Sequence, residues 1–69
     1  MEKAETSYEP ILQFFEYGHL PAMLQGVSKP FHDLAHDIAA HTARNPERTV
    51  ALRKLLEAKD AAVRATIFR

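Results

Sequence analysis

Apolar residues recur at intervals of four and three along the first half of the chain. Their positions are Leu20, Leu24, Val27, Phe31, Leu34 and Ile38. This spacing places them on one face of an α-helix, and Pro21 suits the first position of that helix because its missing N–H needs no partner there. The pattern keeps its phase across Pro30, which favours one helix kinked at the proline. The alternative is a break, with Ser28 capping a second helix.

A further helix is predicted over residues 46–66. Asn45 is a good N-cap, Pro46 fits the first position, and Glu47 lies near the positive end of the helix dipole. The rest of the segment contains good helix formers and neither glycine nor proline. Its apolar stripe consists of Leu52, Leu55, Leu56, Ala62 and Val63. Two pairs of opposite charge have i,i+4 spacing on one flank: Arg53 with Glu57, and Asp60 with Arg64.

The two helices and the short connection at residues 41–44 predict an all-α fold, an antiparallel two-helix hairpin. Residues 1–10 are polar and aperiodic, which predicts a flexible, extended N-terminal arm. The single hairpin domain then spans residues 11–69. Residues 11–19 are apolar and aromatic but lack clean helical or strand spacing, which indicates an extended or single-turn segment.

The small size of the chain predicts self-assembly. A domain of 69 residues buries only about 60% of the surface that its unfolded chain exposes. There is no cysteine, so no disulfide can stabilise it. A single hairpin also leaves helix faces uncovered. We therefore expect a homo-oligomer in which Phe14 and Phe15 anchor the aromatic segment on another subunit, because the hairpin is too small to hide them.

The charge balance argues against several classes of partner. Nine basic and nine acidic residues give a formal net charge of zero, which is a poor basis for binding DNA or RNA. No apolar stretch is long enough for a transmembrane helix, and residues 1–5 lack the apolar core of a secretory signal. The sequence therefore predicts an intracellular protein without DNA, RNA or membrane partners.

Histidines on the first helix resemble half of a metal site. His32 and His36 are spaced i,i+4, and an aspartate follows each. No third histidine or cysteine is well placed, so we expect a solvated helix flank and no metal site. His19 and His41 lie at helix boundaries, where local hydrogen bonds are the expected role. The sequence lacks a catalytic triad, a glycine-rich phosphate loop and a nucleophilic cysteine, which predicts a protein that is not an enzyme and uses no cofactor.

Lys59 interrupts the apolar stripe of the second helix. An ammonium group among apolar side chains is unfavourable unless it has a partner. One interpretation is that its stem packs while its head reaches solvent or a carboxylate across the hairpin. The other is that the ammonium group faces an anionic ligand or a charged network at a subunit interface.

Several other polar residues suit the binding of a planar anion. Tyr17 can stack on a flat group and still offer its hydroxyl, with a place in the core or an interface as the alternative. Ser28 and Lys29 lie next to the predicted kink, where freed backbone groups can bind an anion. Arg64 can contact phosphates or bases, or pair with Asp60.

Two blocks of the sequence resemble a known family. They are FFEYGHLPAMLQGVSKPF at residues 14–31 and NPERTVALRKLLEAKDAAVRA at residues 45–65. Together they resemble small actinobacteriophage proteins of the helical-hairpin group that includes the phage anti-CBASS cyclic-nucleotide sponges. The resemblance implies a homohexamer that sequesters cyclic dinucleotides at subunit interfaces without cleaving them, and in some members cyclic trinucleotides in separate pockets. Such a protein acts in the cytoplasm of the infected bacterial host, where it keeps the second messenger from its effector.

The resemblance also implies roles for individual residues. Residues 17–20 match a Tyr-x-x-Leu element whose tyrosine stacks on a base, and Arg64 matches an arginine of the trinucleotide pocket. His32, with Lys29 one turn earlier, stands where the sponges have a lysine that contacts phosphate. The residues expected to bind the ligand are Tyr17, His19, Ser28, Lys29, His32, Lys59 and Arg64. The alternative function is an oligomeric protein-interaction module that binds a host or phage polypeptide through the aromatic segment.

Overall fold

A computed structural model describes residues 9–68, which form an all-α fold of three helical segments. A 3₁₀ helix spans Pro10–Phe15, helix α1 spans Ala22–His41, and helix α2 spans Pro46–Ile67. The connection at residues 42–45 is short, so α2 folds back and packs on α1 as a hairpin. The all-α hairpin predicted from the sequence is confirmed. Within the described residues, no helix is both long and apolar enough to cross a membrane.

Helix α1 begins one residue later than the pattern predicts. Pro21 is its N-cap, with extended ψ, and Ala22 is the first helical residue. The helix continues through Pro30 without interruption, which confirms one helix rather than two. The kink at Pro30 stays a prediction from the missing N–H and the steric demand of the ring. At the other end, the backbone N–H and the hydroxyl of Thr42 both donate to the carbonyl of Ile38, at 3.1 and 2.6 Å.

The buried face of α1 is shifted from the predicted one. Ser28, Ala35 and Ala39 are buried, and Phe31 and Ile38 are partly buried beside them. Leu34 was expected on this face, but 48% of it is exposed. The reason is that α1 contacts both α2 and the 3₁₀ helix, so its buried face lies between two neighbours instead of following a two-helix seam. Small side chains at the centre let these neighbours approach closely.

Helix α2 starts and packs as predicted. The Asn45 side chain accepts a hydrogen bond from the Arg48 backbone N–H at 2.9 Å, and Pro46 is the first helical residue. Leu52 is fully buried, and Leu55 and Leu56 pack partly buried against the core. The predicted charge pairing differs in detail. Among the described residues, Glu57 pairs with Lys54 and not with Arg53, and the two charged atoms are 3.8 Å apart.

The 3₁₀ helix supplies the largest core side chain. Leu12 is 5% exposed and Phe15 is fully buried, and both pack with Ala35, Ala39 and Leu52. The prediction that Phe15 anchors a neighbouring subunit is therefore wrong, because the hairpin's own groove accommodates it. Phe14 points the other way and is 57% exposed. Consecutive residues of a short helix face different directions, so only one of the two phenylalanines enters the core.

A buried ion pair connects Glu9, the first described residue, to helix α2. Arg48 is 4% exposed, and its Nη2 lies 2.8 Å from Oε2 of Glu9 while its Nε donates to the same oxygen at 2.9 Å. Its Nη1 donates to the carbonyls of Ala39 and Thr42 at 2.8 and 3.0 Å. Glu9 is buried and Pro10 is helical, so the described fold begins inside the predicted arm of residues 1–10. The predicted arm at residues 1–8 lies outside the described residues.

Candidate functional site

A tight turn carries Tyr17 from the 3₁₀ helix to the start of α1. Phe15 anchors one side of this turn in the core. The backbone N–H of Leu20 donates to the carbonyl of Tyr17 at 3.0 Å. From the first turn of α1, the Gln25 amide donates to the carbonyls of Leu20 and Gly18 at 2.7 and 3.4 Å. These bonds fix the position of Tyr17 relative to α1.

The Tyr17 ring lies against a pair of histidine rings on α1. Its centroid is 5.0 Å from that of His32, with an interplanar angle of 72°, so the contact is edge-on. The His32 and His36 centroids are 4.3 Å apart at an angle of 46°. Tyr17 and His32 are both partly exposed. The three rings form a continuous aromatic surface that is open to solvent, and we call Tyr17, His32 and His36 the aromatic platform.

Charged groups border the aromatic platform on the same helix. Lys29 Nζ lies 2.6 Å from Oδ2 of Asp33, and His32 Nδ1 lies 3.1 Å from Oδ1 of the same carboxylate. The hydrogen bonds from Lys29 and then from His32 lower the pKa of Asp33. The hydrogen bond to Asp33 and the negative charge of that carboxylate raise the pKa of Lys29. The platform thus has a cation at its edge, balanced by one carboxylate.

A groove also borders the turn, between the 3₁₀ helix and α2. Its volume is about 310 Å³, and it is lined by Gln13, Phe14, Glu16, His19, Leu56, Lys59 and Asp60. Lys59 Nζ donates to the backbone carbonyl of Phe14 at 2.7 Å. The sequence suggested a carboxylate or an anionic ligand as the partner of Lys59, and the structure places a carbonyl at the end of the 3₁₀ helix there instead. This bond ties α2 to the segment that carries Tyr17.

The other predicted site residues are not brought to the platform. Ser28 is fully buried, and its hydroxyl has no hydrogen-bond partner among the described residues. The side chain faces the core and not the surface near Pro30, so its contact with a ligand stays a prediction that the observed burial does not favour. Arg64 is exposed in the last turn of α2. His41 makes the local hydrogen bond expected of it, with Nδ1 at 2.8 Å from the carbonyl of Asp37.

Two residues at the site escaped the sequence-based predictions. Glu16 comes close to the histidine pair, and one side-chain donor atom from each of Glu16, His32 and His36 lies within 4.8 Å of the other two. Gln25 holds the turn described above. Both roles depend on how the turn folds back on α1. The spacing between residue 16 and residues 32 and 36 has no helical period that could have indicated it.

Comparisons with known proteins returned no relative. No protein-family model, curated protein or solved structure matches this chain. The resemblance to the phage sponges stays an expectation from the two sequence blocks at residues 14–31 and 45–65.

Proposed function

We propose that this protein is a non-enzymatic sponge that binds cyclic oligonucleotide second messengers between copies of its own chain. The observation that carries the proposal is the placement of Tyr17, whose ring stays partly exposed while Phe15, two residues earlier, is fully buried. An ordered aromatic ring with one edge on His32 is a preorganised surface for stacking a base. This is the tyrosine that the family resemblance assigns to base stacking.

The charged border of the platform suits the phosphates of such a ligand. Lys29 is exposed and is linked to the platform through Asp33, which also contacts His32, and Asp33 is itself half exposed. An exposed ion pair of this kind contributes little to stability, so a phosphate can replace the carboxylate at low cost. His32 offers a further donor beside the tyrosine. Lys29 and His32 are therefore both proposed phosphate contacts.

The remaining exposed apolar surface supports assembly. Phe14, Met23, Leu34 and Val50 are 57, 61, 48 and 48% exposed, and they are distributed over all three helices. Single exposed apolar side chains are normal on a monomer, but each of these offers apolar surface that a second copy of the chain could bury. Assembly would also bring two copies of Tyr17 and Lys29 to one ligand. A doubly anionic ring then meets two equivalent cations across a symmetry axis, and the homohexamer is the assembly that the resemblance implies.

A second class of pocket is proposed for cyclic trinucleotides. Arg64 is the expected contact there, and its exposed position near the end of α2 leaves its guanidinium group accessible. His19 and Lys59 line the groove beside the turn and are retained as proposed ligand contacts. Lys59 would have to exchange its bond to the Phe14 carbonyl for a phosphate oxygen.

Replacing Tyr17 by alanine is expected to weaken binding of cyclic dinucleotides. Base–aromatic stacking contributes about 1–3 kcal/mol per base, so the dissociation constant should rise by roughly tenfold to a hundredfold for each base stacked. Tyr17→Phe is the matched control, because it keeps the ring and should retain most of the affinity. Isothermal titration calorimetry against a panel of cyclic di- and trinucleotides measures both variants.

The sponge proposal predicts two further properties that can be measured on the same sample. Solution mass, measured by light scattering with and without ligand, should show an oligomer that the Tyr17→Ala variant preserves. Ligand recovered after denaturation should be chemically intact, because a sponge does not cleave it. An intact oligomer that binds none of the panel at micromolar concentration would overturn the proposal.

A protein-interaction module is the second candidate, favoured by the exposed Phe14 at the edge of the groove. In that case the aromatic segment binds a host or phage polypeptide. Capture of such a partner that is insensitive to added cyclic nucleotides, together with failure of the calorimetric panel, would favour this candidate.

A further inference from the structure

We propose that Glu16, His32 and His36 bind one Zn²⁺ ion per chain. One donor atom of each residue lies within 4.8 Å of the other two. The two histidines come from successive turns of α1, whereas Glu16 comes from the connection that follows the 3₁₀ helix. This proposal depends on the three donors and not on the cyclic-nucleotide function, although His32 takes part in both.

The donor set has the composition of a zinc site with an open position. Two imidazoles and one carboxylate bind Zn²⁺ at about 2.0–2.2 Å, with a water molecule completing the tetrahedron. Donors in such a tetrahedron are separated by about 3.3 Å, so the side chains need to draw together slightly from their present positions. Glu16 and His36 are exposed and His32 is partly exposed, which leaves them the rotamer freedom to do so.

A carboxylate beside the histidines completes the pattern of a metal site. Asp33 Oδ1 lies 3.1 Å from Nδ1 of His32. When Nδ1 carries the proton and donates it to Asp33, Nε2 keeps its lone pair for a metal. Asp33 is held in turn by Lys29, at 2.6 Å. With Nε2 as the metal ligand, this chain of hydrogen bonds would hold the His32 ring through its other nitrogen.

The third ligand is what separates this cluster from an ordinary helical histidine pair. The sequence has no well-placed third histidine or cysteine, so its pattern predicted no metal site. Glu16 is brought to the pair by the burial of Phe15 and by the turn that Gln25 holds. A bound ion would therefore connect the turn to α1 directly, next to Tyr17 in the aromatic platform.

Calorimetric titration of chelator-treated, full-length protein with Zn²⁺ alone tests the site. We expect one equivalent to bind, and Co²⁺ to give the intense visible absorption of a low-coordinate complex. His36→Gln should abolish this binding, and Glu16→Gln should weaken it by at least about tenfold. Asp33→Asn should weaken it by about tenfold, as is typical when a partner behind a metal-bound histidine is lost.

The other two described histidines provide matched controls. His19 lies in the groove and His41 binds a backbone carbonyl, so His19→Gln and His41→Gln should leave Zn²⁺ affinity unchanged. All the substituted positions are exposed, so the variants should keep the circular dichroism spectrum of the parent. Absence of stoichiometric Zn²⁺ binding would overturn the proposal. So would a Glu16→Gln variant with parental affinity, since it would leave only a histidine pair.

Discussion

Replacement of Arg48 by methionine is expected to destabilise the fold by about 3–5 kcal/mol, the cost of leaving one member of a buried ion pair without its partner. Glu9 would keep a carboxylate that is 7% exposed, and the carbonyls of Ala39 and Thr42 would lose their donor. A domain of this size has a total stability of only about 3–5 kcal/mol from its core, so the variant should be largely unfolded at 25 °C. Urea unfolding followed by far-ultraviolet circular dichroism measures the change.

Two further variants separate charge from geometry in this network. Arg48→Lys keeps the positive charge but loses the planar fork that reaches Glu9 and two carbonyls at once, so most of the loss should remain. Combining Glu9→Gln with Arg48→Met removes the unpaired charge and should recover part of the stability. An unfolding midpoint of Arg48→Met equal to that of the parent would contradict the proposed role of the ion pair.

Phe15→Ala is the second substitution expected to have a large effect. Phe15 is fully buried in the core between the two helices, and truncation of such a side chain costs about 3–5 kcal/mol. The neighbouring Phe14→Ala is the matched control: it removes the same atoms from a residue that is 57% exposed. In a monomer its effect should stay within about 0.5 kcal/mol. Thermal and urea unfolding of both variants measure the difference.

The Phe14→Ala and Phe15→Ala variants also test whether the chain assembles. If Phe14 contacts a second copy of the chain, Phe14→Ala should lower the solution mass while the helical content of each subunit is preserved. Equal destabilisation by the two substitutions at a concentration where the protein is monomeric would contradict the assignment of Phe15 alone to the core.

Local signals in the sequence predicted the two long helices well. The start of α2 depends on Asn45, Pro46 and Glu47, which act on neighbouring backbone groups, and the structure places its first residue where they indicate. The burial of Leu52, Leu55 and Leu56 follows from helical spacing alone. These features could be predicted because the residues that determine them are close together in the chain.

The features that could not be predicted involve a third element. The heptad spacing predicts that Leu34 lies in the core. Because α1 packs against the 3₁₀ helix as well as α2, Ala35 and Ala39 are buried instead. Glu9 and Arg48 are 39 residues apart, and nothing in the local pattern links them. The short polar stretch before Pro10 has the composition of a flexible arm, and only its contact with Arg48 makes its last residue part of the fold.

The candidate site also combines residues that the sequence singled out with contacts that it could not indicate. Tyr17 is partly exposed, and its role as a ligand contact stays a prediction from residue type and position. The burial of Ser28 could not be foreseen, because a hydroxyl beside a proline favours a surface position. The approach of Glu16 to His32 and His36 depends on the turn at residues 16–21, whose course is set by Phe15 on one side and Gln25 on the other.

The two cations of α2 that hold the 3₁₀ helix have a consequence for synthesis on the ribosome. Arg48 binds Glu9 and Lys59 binds the carbonyl of Phe14, over sequence separations of 39 and 45 residues. Translation proceeds from the N-terminus, so the aromatic segment is made first and its partners come last. Leu12 and Phe15 therefore have no completed groove to enter until most of the chain has been translated. During that interval the nascent chain exposes the apolar residues that later form the centre of its core.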